Sequence, residues 1–330
     1  MKTQFPKAVK LGQEEVSQIG LGTMSMGGVY GPADDTESLA TLNEAFERGI
    51  NFFDTADFYG LGHSEELLRY FLKGKRREEI FISVKMGPMM LPGGGFGPPN
   101  GRPDFFRHQL AYNLRRLGTN YIDLYFPARV DPNVPIEEQI EVLAELKQQG
   151  FIHYVGLSET TVQIVRRAHA VHPIAAVQSE YSLWSRDYIE DELLPALREL
   201  GIAFVGYAPL SRGFLSGTLS DASSEALDAG DPRRRFPRYQ GDNFKRNAQL
   251  VELLRAIAHG KGISPSQLAV AWVLAQGNDI ISLVGAKRRD HLRDSLKAVD
   301  VRLSAGELEE LNRIMPKGAA AGARYPEAAR

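Results

Sequence analysis

The feature that most constrains the fold of this chain is a regular alternation of short β-rich runs with segments of helical period. Strand composition occurs in residues 18–22, 50–54, 80–85, 121–126, 152–157, 174–178, 202–207 and 280–284. Several of these runs are almost continuously apolar, which is typical of strands buried on both faces of a parallel sheet. Helical periodicity lies between most of them, clearest in residues 36–48, 136–149, 247–258 and 266–275.

Eight strand–helix units are the number that closes a (β/α)8 barrel, and 330 residues suit one barrel with long loops. We therefore predict an α/β protein in which residues 1–330 form a single barrel domain. A doubly wound sheet with a second domain is the alternative, but no linker or change of composition divides the chain. Residues 8–11 and 15–17 flank Gly12-Gln13, which indicates a β-hairpin closing the barrel floor.

Two long loops follow strand runs, and both are expected to contribute walls or lids to a functional site. Residues 87–101 contain six glycines and four prolines, and residues 211–241 include the basic run PRRRFPR. In a barrel of this kind, the loops that follow strands lie on the catalytic face.

Composition excludes several classes of protein. A formal net charge of -2 gives no charge pattern for nucleic acid or an anionic membrane. The chain has no cysteine, which excludes disulfides, thiolate metal sites and a cysteine nucleophile, and no histidine cluster indicates a metal site. Residues 1–6 (MKTQFP) lack the apolar run that is typical of a signal peptide, and no stretch approaches the roughly 18 apolar residues that a membrane span needs. We expect a cytoplasmic protein.

A glycine-rich segment and a set of polar residues at strand ends are the candidate functional motifs. Gly20-Leu-Gly22-Thr-Met-Ser25 lacks the third glycine of a dinucleotide-binding fingerprint, so a Rossmann fold is not indicated. Asp54 and Lys85 each end an apolar run, and Tyr59 follows Asp54 by five residues. One interpretation is a buried Lys85–Asp54 ion pair beside an ordinary aromatic residue. The other is a general acid, Tyr59, whose pKa is lowered by the Lys85 ammonium.

Seven motifs together resemble those of the aldo-keto reductase superfamily. They are residues 51–60 (NFFDTADFYG), 82–85 (ISVK), 121–125 (YIDLY), 155–158 (VGLS), 178–183 (QSEYSL), 206–213 (GYAPLSRG) and 285–288 (GAKR). They occur in the family's order, so the resemblance covers nearly the whole chain. It implies a (β/α)8 barrel that binds NADPH/NADP+ without a Rossmann fold and reduces a small-molecule aldehyde or ketone.

The resemblance also implies a role for each matched residue. Tyr59 would give a proton to the substrate carbonyl, tuned by Lys85 and Asp54. The nicotinamide carboxamide would be bound by Ser158 and Gln178. The other residues expected along the cofactor are Gly22, Thr23, Met24, Asp54, Tyr207, Pro209, Leu210, Ser211, Gly213, Arg234, Gly285, Lys287, Arg288, His291, Asp294 and Ser295.

Two of these expectations concern cofactor contacts in detail. Tyr207 would stack on the nicotinamide ring, a positioning task. Lys287 and Arg288 would meet the adenosine 2′-phosphate, which favours NADPH over NADH. Arg234, from the long loop at 211–241, would clamp the phosphates.

The chain departs from the family pattern at two positions. Ala128 stands where the family has a histidine that donates a hydrogen bond to the carbonyl, and Glu159 follows Ser158 where an asparagine is usual. Without the imidazole, simple aldehydes should react slowly unless another donor compensates. Residues 128–135 (ARVDPNVP) resemble pyridoxal reductases, so a pyridoxal-like carbonyl is one candidate substrate.

Two functions from different classes remain open at this point. The leading prediction is NADPH-dependent reduction of an aldehyde or ketone to an alcohol. The alternative is an NADPH-binding sensor or regulatory subunit with little turnover, similar to the potassium-channel β-subunits. NADPH consumption in the presence of carbonyl compounds would separate them.

Overall fold

The structure is a computed structural model that describes residues 7–92, 95–219, 227 and 230–326. The described strands are β1 (Ala8–Leu11), β2 (Glu14–Ser17), β3 (Ile19–Gly22), β4 (Phe52–Ala56), β5 (Phe81–Met86), β6 (Ile122–Pro127), β7 (Ile152–Ser158), β8 (Ile174–Glu180), β9 (Ala203–Tyr207) and β10 (Ile280–Gly285). The described α-helices are α1 (Asp35–Glu47), α2 (His63–Leu72), α3 (Pro103–Leu117), α4 (Ile136–Gln148), α5 (Val162–Val171), α6 (Leu194–Leu200), α7 (Gly241–Gly260), α8 (Pro265–Leu274), α9 (Arg289–Leu296) and α10 (Ala305–Ile314).

Strands β3 to β10 form a closed parallel barrel in chain order, and β10 pairs with β3 to complete it. Strands β1 and β2 form an antiparallel hairpin with Leu11 opposite Glu14. Gln13 N donates to Tyr154 Oη (3.3 Å) near the start of β7, which places the hairpin at the floor of the barrel. The predicted (β/α)8 barrel with an N-terminal hairpin is therefore confirmed. Parts of the predicted single domain and of both long loops lie outside the described residues.

Local side-chain chemistry explains where several helices begin. Asp34 Oδ1 accepts a hydrogen bond from Glu37 N (2.9 Å) at the start of α1, and Ser264 Oγ accepts one from Gln267 N (3.1 Å) at the start of α8. Both satisfy a backbone N–H that has no partner within its helix. The helices therefore start where the sequence provides a short polar side chain.

The barrel interior changes from apolar to polar along its strands. Phe52 on β4 and Phe81 on β5 stack at 5.4 Å between ring centroids. Two residues further along the same strands, the inward face carries Asp54 and Ser83, because side chains alternate with a period of two. Polar groups thus gather at the carboxyl end of the barrel, above an apolar plug.

Two general features of the described residues bear on function. None of the helices in the ranges given above is long and apolar enough to cross a membrane. Within the same ranges, histidines, aspartates and glutamates form no group of three or more that could hold a metal ion.

We predict that Gly20→Ala destabilises the barrel. A Cβ at Gly20 would lie 2.5 Å from Phe52 Cδ1 and 3.2 Å from Leu283 Cδ1, and the stacked Phe52 ring has little room to move. Overpacking of this kind costs about 1–3 kcal/mol. The matched control is Gly22→Ala on the same strand, where the nearest atoms lie at 3.6 Å. The urea unfolding midpoint, followed by circular dichroism, should fall clearly more for the first variant; equal losses would contradict this account.

Candidate active site

A buried ion pair lies at the carboxyl end of the barrel. Lys85 Nζ contacts Asp54 Oδ1, and both side chains are almost completely buried. The other carboxylate oxygen, Oδ2, accepts hydrogen bonds from Ser83 Oγ (2.9 Å) and Gln178 Nε2 (2.8 Å). Three strands, β4, β5 and β8, therefore hold one carboxylate in place, as a buried charge requires.

The charge state of Lys85 depends on its neighbours. Burial lowers the pKa of Lys85, and the charge and hydrogen bond of Asp54 oppose that effect. The positive charge of Arg129 adds to the lowering. The Lys85 ammonium is thus easier to deprotonate than an exposed one, and Asp54 limits the change.

Tyr59 lies beside this pair. Its ring centroid is 5.1 Å from Lys85 Nζ, its ring packs edge-on against Phe58 at 5.0 Å, and only 8% of the residue is exposed. Burial raises the pKa of Tyr59 well above its usual value, and the Asp54 charge raises it further, while Arg129 lowers it.

This result differs from the expectation that Lys85 lowers the pKa of Tyr59. The physical reason is that desolvation of a phenolate dominates, and Asp54 cancels much of the ammonium's field at the ring. Tyr59 therefore keeps its proton at neutral pH, which is the state that a proton donor needs.

The predicted nicotinamide-binding residues come together at one edge of the site. Ser158 ends β7 and is paired with Gln178 on β8. Because Gln178 Nε2 is directed at Asp54, its Oε1 is the atom left to accept a hydrogen bond. The hydroxyl of Ser158 makes no hydrogen bond to any residue that the structure describes. Both amide and hydroxyl are therefore suitable partners for a carboxamide.

Tyr207 is held by a network of polar side chains at the barrel mouth. Its hydroxyl donates to Glu159 Oε1 (2.9 Å) and shares a hydrogen bond with Tyr325 Oη (2.9 Å). Glu159 also pairs with Arg324 and accepts from Glu180 N (2.9 Å). Burial opposes ionisation of Glu159, but the nearby arginines lower its pKa overall. The glutamate thus stays charged and acts as an anchor for the mouth.

The loop after β9 provides a candidate anion site. Pro209 and Leu210 precede a turn with left-handed backbone at Ser211 (φ 46°) and Gly213 (φ 94°). Ser211 Oγ is buried without a hydrogen-bond partner among the described residues. Arg233 Nη1 donates to the carbonyl of the same turn, at Arg212 O (3.1 Å). An unpartnered hydroxyl beside a guanidinium suits a diphosphate.

The basic loop contacts this turn through Arg233, the neighbour of the predicted phosphate ligand Arg234. Arg233 lies against the turn and its guanidinium carbon is 5.0 Å from the centroid of the Tyr30 ring. The side chain of Arg234 makes no hydrogen bond or ion pair within the described part of the chain. The run of three arginines at residues 233–235 indicated that this loop contributes a cation, but the sequence did not show which of the three arginines contacts the turn.

A second candidate anion site is a cleft of about 520 Å³ around the start of α9, lined by residues 32–34, 37, 287–290 and 293. Lys287 Nζ donates to the carbonyl oxygens of Tyr30 (3.2 Å), Gly31 (3.0 Å) and Pro32 (2.7 Å). Arg288 pairs with Asp290 on the exposed face. The predicted 2′-phosphate residues therefore line one cleft.

Other residues predicted to bind the cofactor lie at the ends of β3 and β10 and on α9, near this cleft. Gly285 ends β10 opposite Gly22 at the end of β3, and His291 lies in the first turn of α9. Asp294 accepts from Ser264 Oγ (2.8 Å) and Gln267 Nε2 (2.6 Å), which binds it to the start of α8.

Three more of the predicted residues lie close to these elements. Thr23 Oγ1 donates to Asp54 O (3.1 Å), and Met24 begins a short 3₁₀ turn beside it. Ser295 is buried on α9.

Sequence reasoning missed a group of residues at the barrel mouth. The Tyr325 ring lies under three guanidinium groups, with carbon-to-centroid distances of 4.9 Å for Arg212, 4.9 Å for Arg324 and 5.9 Å for Arg129. Tyr325 is 118 positions from its hydrogen-bond partner Tyr207. No local pattern could reveal such a contact.

Comparison with known proteins decides the family. Residues 18–316 match the model of the Aldo/keto reductase family. The chain belongs to this family. It is 41% identical over 322 residues to the probable aldo-keto reductase 1 of Glycine max, covering 96% of this chain and 91% of that protein. It is 40% identical over 323 residues to the aldo-keto reductase yakc [NADP(+)] of Schizosaccharomyces pombe, covering 97% and 94%.

Solved structures agree with this aldo-keto reductase assignment. The glycerol dehydrogenase AKR11B4 from Gluconobacter oxydans superposes with a TM-score of 0.83 at 27% identity, covering 99% of this chain and 98% of that one. The thermostable aldo-keto reductase Tm1743 in complex with epalrestat gives a TM-score of 0.72 at 30% identity, covering 93% and 99%. The predicted family and enzyme class, an oxidoreductase, are confirmed, while the roles of single residues stay predictions.

We predict that Asp54→Asn moves the alkaline limb of the kcat profile to lower pH. Burial already lowers the pKa of Lys85, and without the carboxylate nothing of equal strength opposes it. The shift should be about one pH unit or more, since a lost close charge changes a pKa by roughly 1–3 units. Ser83→Ala, which removes a single hydrogen bond from Asp54, should shift the limb less. An unmoved limb would show that Lys85 ionisation does not limit the rate.

Proposed function

We propose that this protein reduces an aldehyde or ketone to an alcohol with NADPH. The observation that carries the proposal is the buried Tyr59 phenol beside the Lys85 ammonium, which Asp54 holds in place. A protonated phenol next to a fixed cation is suited to protonate a carbonyl oxygen. The choice of NADP(H) agrees with family membership and with the name of the Schizosaccharomyces pombe relative.

The donor set of the described residues fits this cofactor. Gln178 and Ser158 suit the nicotinamide carboxamide, and the unpartnered Ser211 hydroxyl suits the diphosphate. Lys287 and Arg288 in the cleft at α9 suit a 2′-phosphate dianion. When bound, NADPH supplies the hydride that reduces the carbonyl carbon.

The protein's own residues handle the proton. The Tyr59 hydroxyl passes its proton to the carbonyl oxygen as that oxygen gains the one electron pair of the former π bond, which leaves an alcohol and a Tyr59 phenolate. The Lys85 ammonium stabilises the phenolate through space. It can give a proton to the phenolate oxygen, and solvent water then returns a proton to Lys85 before the next cycle. Asp54 holds the ammonium in position, and its charge and hydrogen bond oppose the lowering of the Lys85 pKa by burial.

The residue at position 128 bears on the choice of substrate. Ala128 is buried and its methyl group has no hydrogen to donate to a carbonyl oxygen. A water molecule, or a polar group of the substrate itself, would have to supply the second hydrogen bond. A carbonyl with a neighbouring hydroxyl, as in a pyridoxal-like aldehyde, meets this requirement. The Phe126 ring, whose centroid lies 6.0 Å from Lys85 Nζ, suits its aromatic ring.

We expect Tyr59→Phe to lower kcat at least about 100-fold, because the lost hydroxyl is needed only in the transition state. The Kd for NADPH, measured by fluorescence titration, should change less than about twofold. The matched control is Tyr112→Phe, at a half-exposed tyrosine on α3. A Tyr59→Phe variant that keeps more than about a tenth of kcat would place the proton donor elsewhere. Tight NADPH binding by the wild type without turnover of any aldehyde or ketone would favour the sensor alternative.

We also expect NADPH to bind at least about tenfold more tightly than NADH, equivalent to about 1.4 kcal/mol. Neutralising the cleft with Lys287→Gln and Arg288→Gln together should close this gap by weakening NADPH binding alone, because NADH has no 2′-phosphate. Isothermal titration with both nucleotides measures the effect. A double variant that keeps its preference would move the phosphate contact to Arg289 or Arg293, which line the same cleft.

A further inference from the structure

Arg129 occupies an unusual position next to the reaction centre. Strand β6 pairs with β5 so that Phe126 lies opposite Lys85, and Ala128 N donates to Met86 O (2.9 Å). Arg129 follows directly, and its Nη1 donates to Ala128 O (2.7 Å). The Arg129 side chain therefore folds back towards Ala128. Both residues follow the end of β6, next to the strand β5 that carries Lys85.

The guanidinium of Arg129 differs from the others at the barrel mouth in its pairing. Arg212 is paired with Glu180 (2.7 Å), and Arg324 is paired with Glu159. Arg129 makes no ion pair with any described residue, and the single hydrogen bond of its side chain goes to the main chain. Of the five N–H groups of an arginine, four therefore remain for a ligand.

The positive charge of Arg129 affects the pKa values of two groups at the centre of the site. It lowers the pKa of both Tyr59 and Lys85, so the guanidinium lies within electrostatic reach of both groups. The residue is also exposed at the mouth, with the Tyr325 ring on one side at 5.9 Å. A molecule whose carbonyl reaches Tyr59 can thus place a second group against Arg129.

We propose that Arg129 binds an anionic group of the substrate, so that the preferred carbonyl compound carries a carboxylate or a phosphate. This inference rests on the proposed reductase function and specifies its substrate class. The planar fork of an arginine binds the two oxygens of such a group at once, and the small Ala128 side chain leaves space for it.

The test compares pairs of aldehydes in which one member carries an anionic para substituent and the other a neutral one. The pairs are 4-formylbenzoate with its methyl ester, and 4-formylphenyl phosphate with 4-methoxybenzaldehyde, each assayed for kcat/KM with NADPH. In the wild type the anion of at least one pair is preferred, and Arg129→Gln lowers that preference about fivefold or more, mainly through KM. Arg129→Lys retains part of the preference, because it keeps the charge without the fork. The two pairs show which anion is bound.

The matched control is Arg302→Gln. Arg302 is also exposed and also donates to a main-chain carbonyl, Val299 O (2.8 Å), but it lies between the 3₁₀ turn after α9 and the start of α10. This variant keeps the wild-type preference for the anion. If Arg129→Gln has the same ratios of anion to neutral substrate as the wild type, the proposal is overturned.

A binding measurement separates this inference from the reductase function. Calorimetric titration of the whole protein with 4-formylbenzoate and with its methyl ester needs no turnover. Tighter binding of the anion that is lost in Arg129→Gln supports the anion site even if no carbonyl is reduced, in which case only the reductase proposal fails. Equal binding of acid and ester in the wild type overturns the anion site even if both are reduced.

Discussion

The buried Lys85–Asp54 pair is the interaction on which the rest of the site depends. Neither charge could be buried at this depth alone, and removing one partner of such a pair costs about 3–5 kcal/mol. The pair is sustained by Ser83 and Gln178, so strands β4, β5 and β8 must close at the correct register before the site exists. Tyr59 then acquires its position beside a cation that cannot move away.

The packing below this pair explains why the polar groups meet where they do. Phe52 and Phe81 fill the barrel at the level beneath Asp54 and Ser83, and the absence of a side chain at Gly20 makes room for the Phe52 ring. A shift of one residue in either strand would exchange inward and outward faces. The apolar plug therefore fixes the register in which Asp54, Ser83 and Lys85 meet.

The mouth of the barrel is organised by charge. Glu159 and Glu180 hold Arg324 and Arg212 in ion pairs, and the hydroxyls of Tyr207 and Tyr325 meet between them. In this network Arg129 makes no ion pair with a described residue, although its charge and that of Glu159 interact. A site with a surplus cation favours anionic ligands.

The sequence by itself determined the barrel and its hairpin, and it predicted that Asp54, Tyr59 and Lys85 meet at one end of the barrel. Strand runs, helical periods and strand-end polar residues are local patterns, and the barrel brings all strand ends to one face. Only the tertiary structure decided that burial raises the pKa of Tyr59, that Arg233 reaches the β9 loop, and that Asp294 faces α8. It also brought Tyr325 to Tyr207 across 118 positions. Desolvation and contacts between distant segments depend on which surfaces meet, and no local pattern of residues contains that information.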